Sequence, residues 1–176
     1  EAPEYHVIAA GSLLGVSIGT DNSFPVGKVN FLSLFPMSFT EYLIAAGEKL
    51  FLEKLNSIED IIPFQEAIHE KMLYHLKLYL FLGGMPEVID NYIKNRDIAT
   101  ARSIQKDILS AYERDFSKYT ERNQAIKTSE FWNSIPRQLA KENKKFKYRD
   151  IKKTARMNMY EQTIEWLRKA GLILMA

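Results

Sequence analysis

No cysteine occurs anywhere in the chain. That excludes disulfides, thiolate nucleophiles and Cys-based zinc sites, and it fits a reducing compartment, so the cytoplasm is the expected location. Net charge is scarce as well: 24 basic and 22 acidic side chains leave +2, so any pull on nucleic acid or anionic lipid must be local. Long apolar runs are missing. The longest uncharged stretch, His6 to Thr20, is broken by Gly11, Ser12, Gly15, Ser17 and Gly19 and falls short of the ~20 apolar residues a membrane-spanning helix needs. The opening Glu1-Ala2-Pro3-Glu4 has neither an initiator methionine nor a basic flank with an apolar run, so no signal peptide is read there. His6, His69 and His75 are scattered along the chain, and none is read as a metal ligand.

What is present is globular composition. Apolar residues make up 46% and aromatics 12% of 176 residues, enough for one good core or for two small lobes in close contact, and the second is expected. Tyr5 to Ala10 is a short, mostly apolar run between Pro3 and Gly11, the pattern of a strand buried on both faces. Val26 to Leu34 reads as a second strand.

After Pro36 the periodicity turns helical. Ser38-Phe39-Thr40-Glu41 reads as a capping box opening a helix toward Gly47. Further helices are expected over Ile58–Glu66 and over Ala67–Leu82, the latter with Ile68, Met72, Leu76 and Tyr79 on one face and Gly83-Gly84 as its stop. Pro86 suits the first position of the next helix, through Val88, Ile89 and Tyr92. Another runs from Ala99 to about Tyr119 with Ile104, Ile108, Ala111 and Tyr112 as its stripe. The last third reads as a helix from Ser129 to about Asn143, a basic turn, a short helix over Tyr148–Ala155, and a final helix over Met159–Ala170 behind a capping box at Asn158. Gly171 stands where a left-handed C-cap belongs, and Leu172 to Met175 starts an apolar strand.

The chemistry-bearing motifs begin with another absence. No G-x-x-x-x-G-K-[ST] occurs, and no apolar strand ends in paired acids that would hold magnesium, so the chain has no phosphate nest of its own. Ser12 sits at the carboxyl end of the first expected strand, where open α/β sheets hold ligands; a turn residue or helix cap is the plainer reading. Lys141, Lys144, Lys145, Lys147, Arg149, Lys152, Lys153 and Arg156 face only Glu142 and Asp150 in one segment. That local basic patch suits phosphate contacts with little base readout, and it equally suits a solvated turn. Helix, turn, helix and strand around it follow the order of a winged helix. No acid, acid, lysine constellation of nuclease type is found.

The succession His6-Val7-Ile8-Ala9-Ala10-Gly11-Ser12-Leu13-Leu14-Gly15, Ser23-Phe24-Pro25-Val26-Gly27-Lys28-Val29, Pro36-Met37-Ser38-Phe39-Thr40-Glu41-Tyr42, Gly83-Gly84-Met85-Pro86-Glu87 and Asp115-Phe116-Ser117-Lys118-Tyr119 covers nearly the whole chain in order. It resembles the bacterial and archaeal AAA-family ATPases that carry a C-terminal domain of unknown function (DUF4143 class). The resemblance implies a P-loop ATPase whose phosphate-binding loop and magnesium-binding acid precede Glu1, so that ATP and Mg²⁺ belong to the full-length protein and neither is held tightly here. It puts Ser12 at the sensor position for the γ-phosphate, and it makes Gly84 and Pro86 similar to a Gly-x-Pro turn whose proline packs on adenine. A helix C-cap followed by a first-turn proline explains the same residues without a ligand. Arg114 and Lys118 are within reach of a phosphate in this picture, or are solvated helix-end charges.

The fold expected is mainly α with a small residual β part. Residues 1–37 are the remnant of a P-loop ATPase core, 38–120 a helical lid, and 121–176 a winged-helix-like domain truncated at the wing. The expected function is an ATPase piece coupling nucleotide state to a winged-helix effector, with nucleic acid or protein as partner through Lys144, Lys145, Lys147, Lys152 and Lys153, and no membrane association. The alternative is a winged-helix nucleic-acid- or protein-binding module acting without nucleotide.

Overall fold

The computed structural model describes residues 5–8, 11, 30, 32–58, 63–119 and 122–175, and the side chains of 117–119 are outside it. It is mainly helical. Seven α-helices and two 3₁₀ turns occur among the described residues, and no strand does. Contacts divide the chain into two compact units: Phe31–Tyr112, and Glu1–Asn30 together with Glu113–Ala176.

The first unit holds α1 (Phe39–Ala45), α2 (Lys49–Asn56), α3 (Glu66–Leu82), α4 (Pro86–Asn95) and the start of α5 (Ile98–Tyr119). α1 begins at the expected capping box: the Glu41 amide donates to Ser38 Oγ at 3.3 Å and the Ser38 amide donates to Glu41 Oε2 at 2.7 Å, so two otherwise orphaned donors are satisfied reciprocally. Those bonds hold the Glu41 carboxyl below its usual range. α4 starts on Pro86, as its missing amide allows, and ends at Arg96, a left-handed residue with φ 55° whose guanidinium lies 5.6 Å from the Tyr92 ring centroid. The Asp97 carboxylate then accepts from the Ala99 amide and the Thr100 hydroxyl at the start of α5. α1 is the central piece and packs against α2, α3 and α4. Tyr42, Leu43, Leu78, Leu82, Val88, Ile89, Tyr92 and Ala101 form the core.

The second unit holds the end of α5, α6 (Arg122–Leu139), 3₁₀ turns at Tyr148–Asp150 and Met157–Met159, and α7 (Glu161–Lys169). α6 packs against α7. Phe116 meets the edges of Trp132 and Trp166 at 5.7 and 5.6 Å between centroids, a favoured arrangement of ring quadrupoles. A second ring group joins Phe131, Phe146, Tyr148 and Tyr160. Thr128, Ser134, Gln138 and Thr163 are buried as well, and each finds a partner: Thr128 donates to the Gln124 carbonyl, Gln124 to Thr163 Oγ1, Ser134 to the Phe131 carbonyl, and the Lys147 amide to Gln138 Oε1. Gly171, with φ 70°, ends α7 as expected, with the Leu172 amide donating to the Leu167 carbonyl.

Several expectations are corrected. Residues 5–8 carry no strand, and Val7 and Ile8 are 87% and 95% exposed; the run meets no neighbouring strand among the described residues, and a strand without one leaves its backbone groups to water. Ala9, Ala10, Ser12, the stretch 26–29 and Phe31 lie outside the described residues, while Leu32 and Leu34 are exposed and belong to no strand. Leu172 to Met175 forms no strand for the same reason.

Among the helices, α2 has no counterpart in the expected set and buries no residue fully. Of the helix expected over Ile58–Glu66, residues 63–65 are not helical and 59–62 lie outside the described residues. α3 buries Met72, His75, Leu78 and Leu82, leaving Leu76 outside the core; a helix apolar on nearly all sides does not declare its inner face by periodicity. On α5, Ala111 is exposed and Ala101 buried. α6 starts at Arg122 rather than Ser129. Tyr148–Ala155 is a 3₁₀ turn followed by loop, and α7 starts without a side-chain cap because the 3₁₀ turn Met157–Met159 occupies the proposed box at Asn158.

Leu43 has no exposed surface, so Leu43→Ala is expected to cost about 3 kcal/mol in urea unfolding. Leu50→Ala on the exposed face of α2 is expected to stay within about 0.5 kcal/mol. Equal losses at the two positions would contradict this core.

Candidate functional site

The two expected motif segments around Pro36 and Gly84 meet in space. The Met37 amide donates to the Gly84 carbonyl at 2.7 Å, and the Tyr79 hydroxyl donates to the Met37 carbonyl at 2.8 Å. Gly83, at φ 73°, ends α3 in a conformation that side chains resist. Gln105 then closes the helix end, donating to the carbonyls of Phe81 and Leu82 at 2.9 and 2.8 Å. Gly84 serves a different need. A Cβ there would lie 2.5 Å from the Met37 carbonyl oxygen and 2.9 Å from Pro36 Cβ, so the turn approaches the 36–37 backbone only because Gly84 has no side chain. Pro86 is exposed at the first position of α4.

Behind the turn the rings of Phe39, Tyr42 and Tyr79 form a triangle with centroids 5.5 to 6.1 Å apart. Tyr42 leads to a polar chain that runs from the buried His75 out to the surface. Its hydroxyl lies 3.2 Å from His75 Nδ1, His75 Nε2 lies 3.3 Å from Glu48 Oε1, and Lys71 pairs with Glu48 Oε2 at 3.0 Å. Since the Glu48 carboxylate only accepts, Nε2 carries the proton of the neutral ring and Nδ1 accepts from Tyr42. Burial lowers the His75 pKa; the Glu48 carboxylate opposes this, while the Lys71 ammonium works with it. Burial also pushes the Tyr42 hydroxyl up.

In the basic segment the lysines sort into two kinds. Lys152 donates to Glu130 Oε2 at 3.0 Å beside the Tyr160 hydroxyl, also at 3.0 Å; the Lys152 hydrogen bond holds Glu130 below its usual range, and Glu130 raises Lys152. Lys141 pairs with Asp150 at 2.7 Å, and Lys144 donates to the Leu139 carbonyl at the end of α6. Lys145, Lys147, Arg149, Lys153 and Arg156 are exposed, with no side-chain ion pair among the described residues.

Ser12, the expected γ-phosphate sensor, lies outside the described residues, as does the side chain of Lys118. Gly84 and Pro86 stand one residue apart in one turn, whereas the five basic-site lysines do not form one free cluster. No sequence motif groups Tyr79, His75 and Glu48; for the clasp at Met37 the doubled glycine is the one sequence signal, since a helix stop requires only one.

The molecule is thus a mainly α-helical protein of two units, with a glycine–proline turn clasped onto the segment that opens the first. Residues 73–176 match a family model described as a domain of unknown function (DUF8612), and the chain belongs to that family. No curated protein and no solved structure matches it. No helix among the described residues is long and apolar enough to cross a membrane, and no group of three or more candidate metal ligands occurs among them.

The folded His75 titrates below its ordinary 6.5, so between those two values the unfolded chain binds a proton that the folded chain does not. Stability is therefore complete above about pH 6.5 and falls as pH drops below it. Urea midpoints at pH 7.5 and 5.5 are expected to show this fall, and His75→Gln is expected to flatten it. An unchanged slope in the variant would exclude His75 as its origin.

Proposed function

We propose that the chain is the lid and effector portion of an ATP-binding, ATP-hydrolysing AAA-family protein. The observation that carries the reading is the clasp between Met37 and Gly84: two of the five motifs behind the resemblance, more than 40 residues apart in sequence, form one contact that neither explains alone. Gly84 is filled by Pro36 and Met37, so its part is to hold the turn. Pro86 keeps its ring exposed at the start of α4, which makes it the residue available to a purine face. In this reading residues 1–37 belong to the rear of the nucleotide core, 38–120 form the lid and 121–176 a winged-helix-like effector. ATP and Mg²⁺ are held by a phosphate-binding loop ahead of Glu1. That group supplies the phosphoryl chemistry; residues of this chain orient the base and transmit its presence through α4 to the core at Val88 and Ile89.

The test is ATP hydrolysis by the gene product carrying this chain together with its upstream segment. Pro86→Ala is expected to raise the KM for ATP about five-fold, the loss of roughly 1 kcal/mol of ring packing. The 176-residue chain alone is expected to bind ATP analogues weakly or not at all. No hydrolysis by the longer protein would sink the reading, and an unchanged KM in the variant would remove the adenine contact.

A second reading, a nucleic-acid-binding module, is favoured by the five exposed basic side chains left after Lys141, Lys144 and Lys152 are engaged within the fold. Duplex DNA mobility should then shift at low salt and recover as salt rises, because phosphate contacts release counterions. Lys145→Glu with Lys153→Glu is expected to abolish the shift while leaving the melting curve intact. No shift at low salt would remove this reading.

A further inference from the structure

α3 turns one apolar face inward, through Met72, His75, Leu78 and Leu82, and keeps a second one outside. Leu73 and Leu76 are 37% exposed and Leu80 is 71% exposed. With the exposed His69 they recur at intervals of four, three and four, the seam of a coiled coil, which asks for another helix against it. Among the described residues of the first unit, no helix buries them. The edge of this seam carries Glu70 and Lys77, both exposed and without an ion pair among the described residues. Seven residues apart on one helix, they are about 10 Å from each other, beyond the reach of the usual three- or four-residue pairs.

We propose that this face docks a second copy of the chain, with the two α3 helices antiparallel about a two-fold axis. A two-fold contact must be self-complementary, with residue i on residue j and residue j on residue i. The α3 face meets that demand. When Leu73 of one copy is set against Leu76 of the other, His69 falls opposite Leu80, and the edge position Glu70 falls beside Lys77, twice over. A parallel pair would instead set Lys77 beside Met72, which belongs to the inner face, and Glu70 beside Gln65, and would gain no ion pair. The seam is short, three leucines from each side, so the dimer is weak. The proposal does not depend on the nucleotide reading.

Sedimentation of the 176-residue chain from about 5 to 500 μM is expected to show a monomer–dimer equilibrium. Glu70→Lys alone, or Lys77→Glu alone, is expected to weaken it about ten-fold, since each turns two attractions into two repulsions. The double exchange Glu70→Lys with Lys77→Glu restores the complementarity and is expected to return the constant to within about two-fold of the original. Leu76→Glu is expected to leave a monomer, with helicity and melting checked by circular dichroism. A monomer at every concentration overturns the proposal and leaves the face to a different partner. So does a dimer indifferent to Leu76→Glu, or a double exchange that fails to restore association. These charge variants lie outside the Gly83–Pro86 turn, so their outcome is independent of ATP hydrolysis.

Discussion

The bond from the Met37 amide to the Gly84 carbonyl is the constraint on which the first unit depends. It ties the segment entering α1 to the turn between α3 and α4, elements far apart in sequence, and so fixes where α1 lies against both. The close approach requires that Gly84 carry no side chain and that Gly83 turn the chain through a positive φ, while Gln105 satisfies the carbonyls the helix end leaves open. Tyr79 donates its hydroxyl to the Met37 carbonyl from the last turn of α3. The last turn of α3, the turn into α4 and the segment entering α1 therefore meet at one residue, Met37, next to the core that holds Leu43, Val88 and Ile89.

Both units bury polar side chains and satisfy most of them locally, while Asn91 Oδ1 in the first and Trp166 Nε1 in the second are buried without a hydrogen-bond partner among the described residues. In the first, Tyr42, His75 and Glu48 form a chain whose proton positions follow from which atoms can only accept. In the second, Thr128, Thr163, Ser134 and Gln138 hold α6 against α7 and the loop at Lys147. Buried networks of this kind add directional demands that apolar packing lacks, because each member left without its partner costs the full penalty of desolvation. Glu130 carries this to the surface, accepting from Lys152 and Tyr160 at once, which turns one lysine of a basic segment into part of the scaffold.

Much of the helical organisation was legible in the residues. Ser38 and Glu41, Pro86, and Gly171 each announced a helix end by a local rule, because caps act within one turn and need no knowledge of the rest of the chain. The inner face of α3 was not legible, since Leu73, Leu76 and Leu80 continue the apolar pattern around the helix. Neither was the basic site, because Lys141 and Lys152 are neutralised by Asp150 and Glu130, partners 9 and 22 residues away. The Tyr5–Ile8 run reads as strand by composition alone, whereas a strand exists only with a neighbour to pair with. Of the candidate turn, the glycine–proline spacing could be read in advance; that Gly84 faces Met37 could not.

The placement of Phe116 has a practical corollary. Both tryptophans of the chain, Trp132 and Trp166, pack edge-on against that one ring in the second unit. Indole emission excited at long wavelength therefore reports on that half of the molecule and is silent about the other. Backbone ellipticity, to which α1 through α7 all contribute, reads both halves together, so comparing the two signals along one denaturation curve reveals whether the halves melt as a single cooperative body or one after the other.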